Sequence, residues 1–125
     1  MPTAPPVKIL IVDDHAPLRA TVKPMFEGLN ATFLEASSGE EALQISAAEH
    51  PDWVIMDMRM PGMGGIEATE AILKRDPQAR VIVISQFTDR EYAERARRAG
   101  AVEFVSKEAL SHLVEIIGRQ SRLQP

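Results

Sequence analysis

Val7-Lys8-Ile9-Leu10-Ile11-Val12-Asp13-Asp14-His15 is an apolar run of strand length that stops on two adjacent acids. An almost unbroken apolar run this short suits a strand buried on both faces, as in a parallel sheet, better than an amphipathic helix. Working outward, runs of the same kind occur at Ala31 to Leu34, Trp53 to Met56, Val81 to Ile84 and Ala101 to Val105, with starts 24, 22, 28 and 20 residues apart. That interval accommodates a strand and a return helix, whereas a hairpin protein shows turn signals roughly every 8 to 12 residues. Five βα units are therefore expected.

The intervening segments support this reading. Leu18, Val22, Met25, Phe26 and Leu29 recur at helical spacing, as do Ile66, Thr69, Ile72 and Leu73, and Leu110, Leu113, Val114 and Ile117. Each segment thus has one apolar stripe to lay on a sheet. Pro17 suits a first helical position, Ser38 stands three residues before Glu41 as a capping box, and Gly28 and Gly100 are helix stops. Pro24 predicts a kink in the first helix, because a mid-helix proline loses a backbone bond and costs about 3 kcal/mol. The fourth helix, from about Asp89 to Ala99, has only Tyr92 and alanines on its apolar side, with Arg90, Arg95, Arg97 and Arg98 elsewhere. It is expected to be the most weakly anchored element.

Composition narrows the function classes. The 125 residues suit one domain, and 45% hydrophobic with 26% charged residues is ordinary globular usage. Fourteen Lys and Arg against eighteen Asp and Glu leave a net charge of −4, which disfavours generic nucleic-acid binding. With no cysteine, disulfide scaffolds, thiol catalysis and thiolate metal sites are excluded. No apolar run approaches the roughly 18 residues of a membrane span, and the start lacks the pattern of a secretory signal. A cytoplasmic domain over residues 7–120 is expected, with a disordered proline-rich tail at 1–6 and a polar tail at 121–125.

Polar residues interrupt the strand pattern at strand ends: Asp13 and Asp14 after the first, Asp57 after the third, Ser85 after the fourth and Lys107 after the fifth. Open parallel sheets bind ligands outside the carboxyl ends of their strands where strand order reverses, which for order 2-1-3-4-5 lies between strands one and three. Asp13, Asp14 and Asp57 are then expected to meet. Like charges 4 to 6 Å apart repel by roughly 3 to 4 kcal/mol per pair at an effective dielectric near 20, so a cation must sit among them. An all-oxygen donor set suits a hard divalent ion such as Mg²⁺, and Lys107 adds a further positive charge. Carboxylate, hydroxyl, ammonium and Mg²⁺ around one point make a phosphoryl-transfer site, because charge must be neutralised on three equatorial oxygens. Asp57 is the candidate nucleophile.

Taken together, Ile11-Val12-Asp13-Asp14-His15, Val54-Ile55-Met56-Asp57-Met58-Arg59-Met60-Pro61-Gly62, Val83-Ile84-Ser85 and Phe104-Val105-Ser106-Lys107 resemble the receiver domains of two-component response regulators, the CheY-like superfamily. The resemblance covers Val7 to Gln120. It implies a flavodoxin-like, doubly wound (βα)5 fold with a five-stranded parallel sheet in order 2-1-3-4-5. It further implies a phosphorylation-activated switch, in which Asp57 takes a phosphoryl group from a sensor histidine kinase or phosphotransfer protein. Asp13, Asp14, Asp57 and the backbone carbonyl of Arg59 would hold Mg²⁺, while Ser85 and Lys107 would contact the phosphoryl oxygens. Phe104 would act with Ser85 as the switch, read out on the fourth helix, fifth strand and fifth helix. Such a domain catalyses only its own phosphorylation and dephosphorylation and is not otherwise an enzyme. Its partners would be the kinase and a downstream protein or an output domain, with room for a phosphorylation-dependent dimer and no direct nucleic-acid or membrane contact. The Asp13-Asp14-His15 start followed by Pro17-Leu18-Arg19 is similar to receivers that carry a helix-turn-helix output domain, so a stand-alone regulator and an excised domain are both expected readings.

The sequence also departs from the family pattern. Glu108 follows Lys107 where proline is common, Gly64 stands where an aspartate usually caps the next helix, and Gln86 is bulkier than the usual alanine or glycine. Arg59 and Phe87 occupy pocket-lining positions of the family. His15 lacks a second nitrogen ligand and is read as a surface or hydrogen-bonding residue; Gly62, Gly64 and Gly65 are read as a turn. The alternative is a Mg²⁺-dependent small-molecule phosphohydrolase with an aspartyl nucleophile, against which Arg59 stands where such enzymes use an acid. A nucleotide-binding module is a further rival, but Asp13-Asp14-His15 replaces the phosphate-accepting glycine or serine loop and would repel phosphate without metal.

Overall fold

Strand and helix alternate throughout the computed structural model, which describes residues 5–87 and 90–122. The elements are β1 (Val7–Val12), α1 (Ala16–Met25), β2 (Ala31–Ala36), α2 (Gly39–Glu49), β3 (Trp53–Asp57), α3 (Gly65–Arg75), β4 (Arg80–Ser85), α4 (Arg90–Arg98), β5 (Glu103–Ser106), a 3-10 turn at Lys107–Ala109, and α5 (Ser111–Arg122). All strand pairs are parallel, and the order is β2-β1-β3-β4-β5. This is the flavodoxin-like doubly wound fold expected from the sequence.

Alternation along the strands divides the core between the two faces of the sheet. Leu10, Val12, Val54, Met56, Val81 and Val83 pack with Ala42, Ala68, Ile72 and Ala96 of α2, α3 and α4. Ile9, Ile11, Ile55, Ile82, Ile84 and Val105 pack with Val22 of α1, with Phe26 just beyond it, and with Leu113 and Ile117 of α5. β3 is wholly buried and β4 is buried beyond Arg80, which is why they read as unbroken apolar runs rather than alternating ones.

Boundaries differ from expectation where local chemistry overrides hydrophobicity. β5 begins at Glu103, not Ala101, because the chain leaves α4 through a Schellman turn. Gly100, at φ +107, donates its N–H to the Arg97 carbonyl at 2.9 Å, and Ala101 donates to the Ala96 carbonyl at 3.0 Å. β2 extends to Ala36, and β3 and β4 include Asp57 and Ser85 as their last residues. Pro24 lies in the final turn of α1, so the helix ends one residue later and Leu29 reaches the core from the following turns. Ser38 caps α2 through its side chain, while Gly64 leaves α3 without a side-chain cap, as expected. α4 buries only Ala96; its expected first residue, Asp89, lies outside the described residues. Residues 1–4 and 123–125 also lie outside them, and α5 runs to Arg122, two residues into the expected tail. Among the described residues, no helix is long and apolar enough to cross a membrane.

Candidate functional site

Asp13, Asp57 and Ser85 are three of the five buried polar or charged side chains among the described residues. Burying such groups is costly unless they are paired, so their convergence at one sheet edge calls for a partner. The ladder brings them there: Asp13 follows β1 and donates its N–H to the Ala36 carbonyl at 3.1 Å, Asp57 pairs with Ile84, and Ser85 pairs with Ser106. Lys107 comes immediately after β5 and supplies the partner. Its Nζ lies 3.1 Å from Asp13 Oδ2 and 3.1 Å from Asp57 Oδ1.

One ammonium thus bridges two carboxylates. Burial and then the neighbouring Asp13 charge push the Asp57 carboxyl above its ordinary value, against the opposing pull of Lys107 and the Arg59 backbone N–H. Burial alone would depress Lys107, but the Asp57 and Asp13 carboxylates outweigh it and hold its pKa above 10.5. At neutral pH Lys107 is therefore protonated.

Beside it, Asp13 Oδ1 accepts the His15 backbone N–H at 2.8 Å. The exposed His15 ring places Nδ1 3.3 Å from Asp13 Oδ1 and 3.2 Å from Asp14 Oδ1. Ligand atoms of Asp13, Asp14 and His15 lie within 4.8 Å of one another. Asp57 does not share that cluster; Lys107 sits between its carboxylate and that of Asp13. Asp13 Oδ2 and Asp14 Oδ1 are shut from solvent, the first facing Lys107 Nζ at 3.1 Å and the second His15 Nδ1 at 3.2 Å, so each keeps a lone pair to spare. Carboxylate oxygens with unfilled lone pairs fit a hard divalent cation, so the residues present suit the metal that the sequence implied.

The remaining residues divide. Ser85 Oγ accepts the Phe87 N–H at 2.9 Å, which leaves the hydroxyl proton available to donate. Gln86 is exposed. The Arg59 guanidinium lies over the Phe87 ring at 4.9 Å, and that ring meets Tyr92 at 5.9 Å, tying the loop after β3 to α4. Phe104 is half-buried on β5 opposite Val83, beside a hollow of about 280 Å³ against α4. The structure thus joins Asp13, Asp57 and Lys107, sets Ser85 on the neighbouring strand, and keeps Phe104 on the α4 side.

The family model described as response regulator receiver domain matches residues 9–118. The chain belongs to the response regulator receiver family. This receiver is 36% identical over 115 residues to the response regulator GacA of Pseudomonas aeruginosa, covering 89% of the chain and 53% of GacA. It is 44% identical over 108 residues to the transcriptional activator protein ExaE of Pseudomonas putida, covering 85% and 50%. The chain therefore spans about half the length of these curated relatives. Among solved structures, the CheX-CheY-BeF3-Mg²⁺ complex of Borrelia burgdorferi superposes with a TM-score of 0.85 at 26% identity, covering 93% of this chain and 90% of that one. Receiver domains are phosphorylation-activated switches of two-component systems rather than classical enzymes, and the phosphohydrolase reading is not favoured.

Four residues in or behind this receiver's site were not singled out for it from sequence. Gly65 is required because a Cβ there would lie 2.0 Å from the Asp57 carbonyl oxygen; its place in a glycine-rich turn gave no hint of that approach. Arg19 donates from Nη1 to the Asp13 carbonyl and from Nε to Glu35 Oε1 at 2.8 Å. Lys23 Nζ reaches Glu35 Oε2 at 2.7 Å, and these two cations hold the Glu35 carboxyl below its ordinary value, Lys23 most strongly. The available signal was a lone acid extending the second apolar run and two cations four residues apart on α1.

Proposed function

We propose that this receiver accepts a phosphoryl group on Asp57 from a phosphohistidine of a sensor histidine kinase or phosphotransfer protein, in a Mg²⁺-dependent reaction, within a cytoplasmic domain spanning residues 7–120. The observation that carries this reading is the Lys107 bridge between the buried Asp13 and Asp57 carboxylates, beside the solvent-shut Asp14 Oδ1. An Asp57 carboxylate oxygen attacks phosphorus and forms the new O–P bond. The P–N bond breaks, its electron pair stays on the imidazole nitrogen, and the product is an aspartyl phosphate. The chain thereby catalyses its own phosphorylation, and hydrolysis of the anhydride by water returns the carboxylate.

Asp13, Asp14, Asp57 and the Arg59 backbone carbonyl would hold the Mg²⁺, which when bound neutralises charge on the transferring oxygens. Lys107 is protonated and near enough to Asp57 to meet a phosphoryl oxygen there. The Ser85 hydroxyl has its proton free to donate to another. Drawing Ser85 and Lys107 inward would move the ends of β4 and β5, and Phe104 with the lightly anchored α4 would follow. That face would signal to a downstream protein or an output domain, or form a phosphorylation-dependent dimer. Phosphorylation adds roughly 1.5 to 2 negative charges, and about 1.4 kcal/mol of differential interaction shifts a two-state population tenfold.

Intact-mass measurement after treatment with acetyl phosphate tests the acceptor. The wild-type chain should gain one phosphoryl group with Mg²⁺ and none with a chelator, and Asp57→Asn should gain none. Equal labelling of Asp57→Asn would overturn the assignment.

A further inference from the structure

We infer that Arg19, oriented by Glu35, is a positioning residue for the Asp13–Asp14 cation site; this rests on the Mg²⁺ role proposed above. Asp13 is the first residue past β1 and Asp14 the second. The Asp13 N–H still belongs to the sheet through the Ala36 carbonyl. Its carbonyl lies beyond the pairing of β1 with β3, which ends at Val12 and Met56, and the acceptor is met instead by Arg19 Nη1. The same guanidinium turns its Nε to Glu35 Oε1 at 2.8 Å, and Glu35 is held on its other oxygen by Lys23 at 2.7 Å. β2, α1 and the turn that presents both acids are thus locked through one planar fork, whose donors a lysine cannot reproduce. Arg19 is only 16% exposed, compared with 38% for Glu35, so the guanidinium is the inner member of the pair.

Charge and geometry predict opposite effects here. Removing a cation beside two carboxylates should, by Coulomb attraction alone, tighten binding of a divalent ion. Releasing the Asp13 carbonyl should weaken it, because the turn carrying both carboxylates loses its fixed orientation. Groups that orient metal ligands typically contribute about 10- to 100-fold in affinity, so geometry is expected to prevail.

Mg²⁺ binding by calorimetry on wild type, Arg19→Met and Arg19→Lys is the test, with amide NMR shifts of residues 13–15 recorded without Mg²⁺. Weakening by roughly tenfold in both variants, with shifted amides at 13–15 in the metal-free protein, is the expected result. Arg19→Lys keeps the charge and Arg19→Met removes it, so loss in both assigns the effect to the fork. Glu35→Ala should produce the same amide shifts through the freed Arg19. Unchanged or tighter Mg²⁺ binding in Arg19→Met would overturn the inference. Absence of Mg²⁺ binding by the wild-type chain would instead refute the proposed cation site itself.

Discussion

Replacing Lys107 with methionine should remove two contacts at once and leave two buried carboxylates facing each other. Nζ lies 3.1 Å from each partner, and at an effective dielectric near 20 each attraction is roughly 5 kcal/mol before desolvation is counted. The side chains of Asp13 and Asp57 are 0% and 4% exposed and that of Lys107 is 14% exposed, so solvent cannot take over the lost role. Deleting one partner of a buried pair costs about 3 to 5 kcal/mol, and that is the expected loss for Lys107→Met at neutral pH in a chelator. Two conditions should reduce it. Mg²⁺ should restore part of the missing positive charge, and mild acid should let a carboxylate bind a proton. Asp57 is the group to do so, because burial and then Asp13 already raise its pKa and Lys107 is the chief opposing influence. Lys107 itself stays protonated throughout this range, its pKa being raised above 10.5 despite burial. Urea unfolding at neutral and mildly acidic pH, each with and without Mg²⁺, measures all four values. A loss below about 1 kcal/mol, the size of a surface ion pair, would refute the bridge. A loss of the same size in all four conditions would refute the electrostatic reasoning.

Asp57→Asn should be more stable than wild type at neutral pH: because the folded pKa is raised above 3.8 by burial and by Asp13, the contribution of Asp57 is fully present below that value and is lost as pH rises through the folded pKa. Urea midpoints across pH should therefore converge in acid and diverge toward neutrality, and a constant difference would contradict this. Gly65→Ala should cost about 3 kcal/mol through the clash with the Asp57 carbonyl, whereas Gly64→Ala, whose nearest neighbours lie at 3.7 Å, should cost much less in the same unfolding assay. α4 buries one residue against four in α3, so its amides should exchange roughly tenfold faster or more, and beryllofluoride with Mg²⁺ should alter protection across 86–107. Equal protection of the two helices would show that α4 is not lightly anchored.

Much of this was legible in the sequence because the parallel sheet leaves a strong mark. Its central strands are apolar on both faces, so Val81 to Ile84 and Trp53 to Met56 stood out, and the polar residues that ended them, Asp57 and Ser85, are buried at the same end of the sheet. What stayed hidden depends on atoms meeting across the fold. The run Ala101-Val102 looks like strand, but the left-handed Gly100 diverts its hydrogen bonds to α4. Glu35 looks like the end of a strand until Arg19 and Lys23 of α1 are seen to neutralise it. Pro24 announced a disturbance in α1, but only the structure shows that it falls in the last turn. Asp13, Asp14 and Asp57 were expected to meet; the sequence could not show that the Lys107 ammonium would bridge Asp13 and Asp57, or that the His15 ring would lie against Asp13 and Asp14.

The role of Asp57 is tested most directly by locating the phosphoryl group chemically. Borohydride reduction of an aspartyl phosphate leaves homoserine, which survives digestion and is placed by peptide sequencing in the mass spectrometer. After acetyl phosphate and Mg²⁺, homoserine is expected at position 57 alone, and after the same treatment with a chelator it should be absent. Homoserine at Asp13 or Asp14, or equal amounts at position 57 without a divalent cation, would contradict the assignment of Asp57 as the Mg²⁺-dependent acceptor.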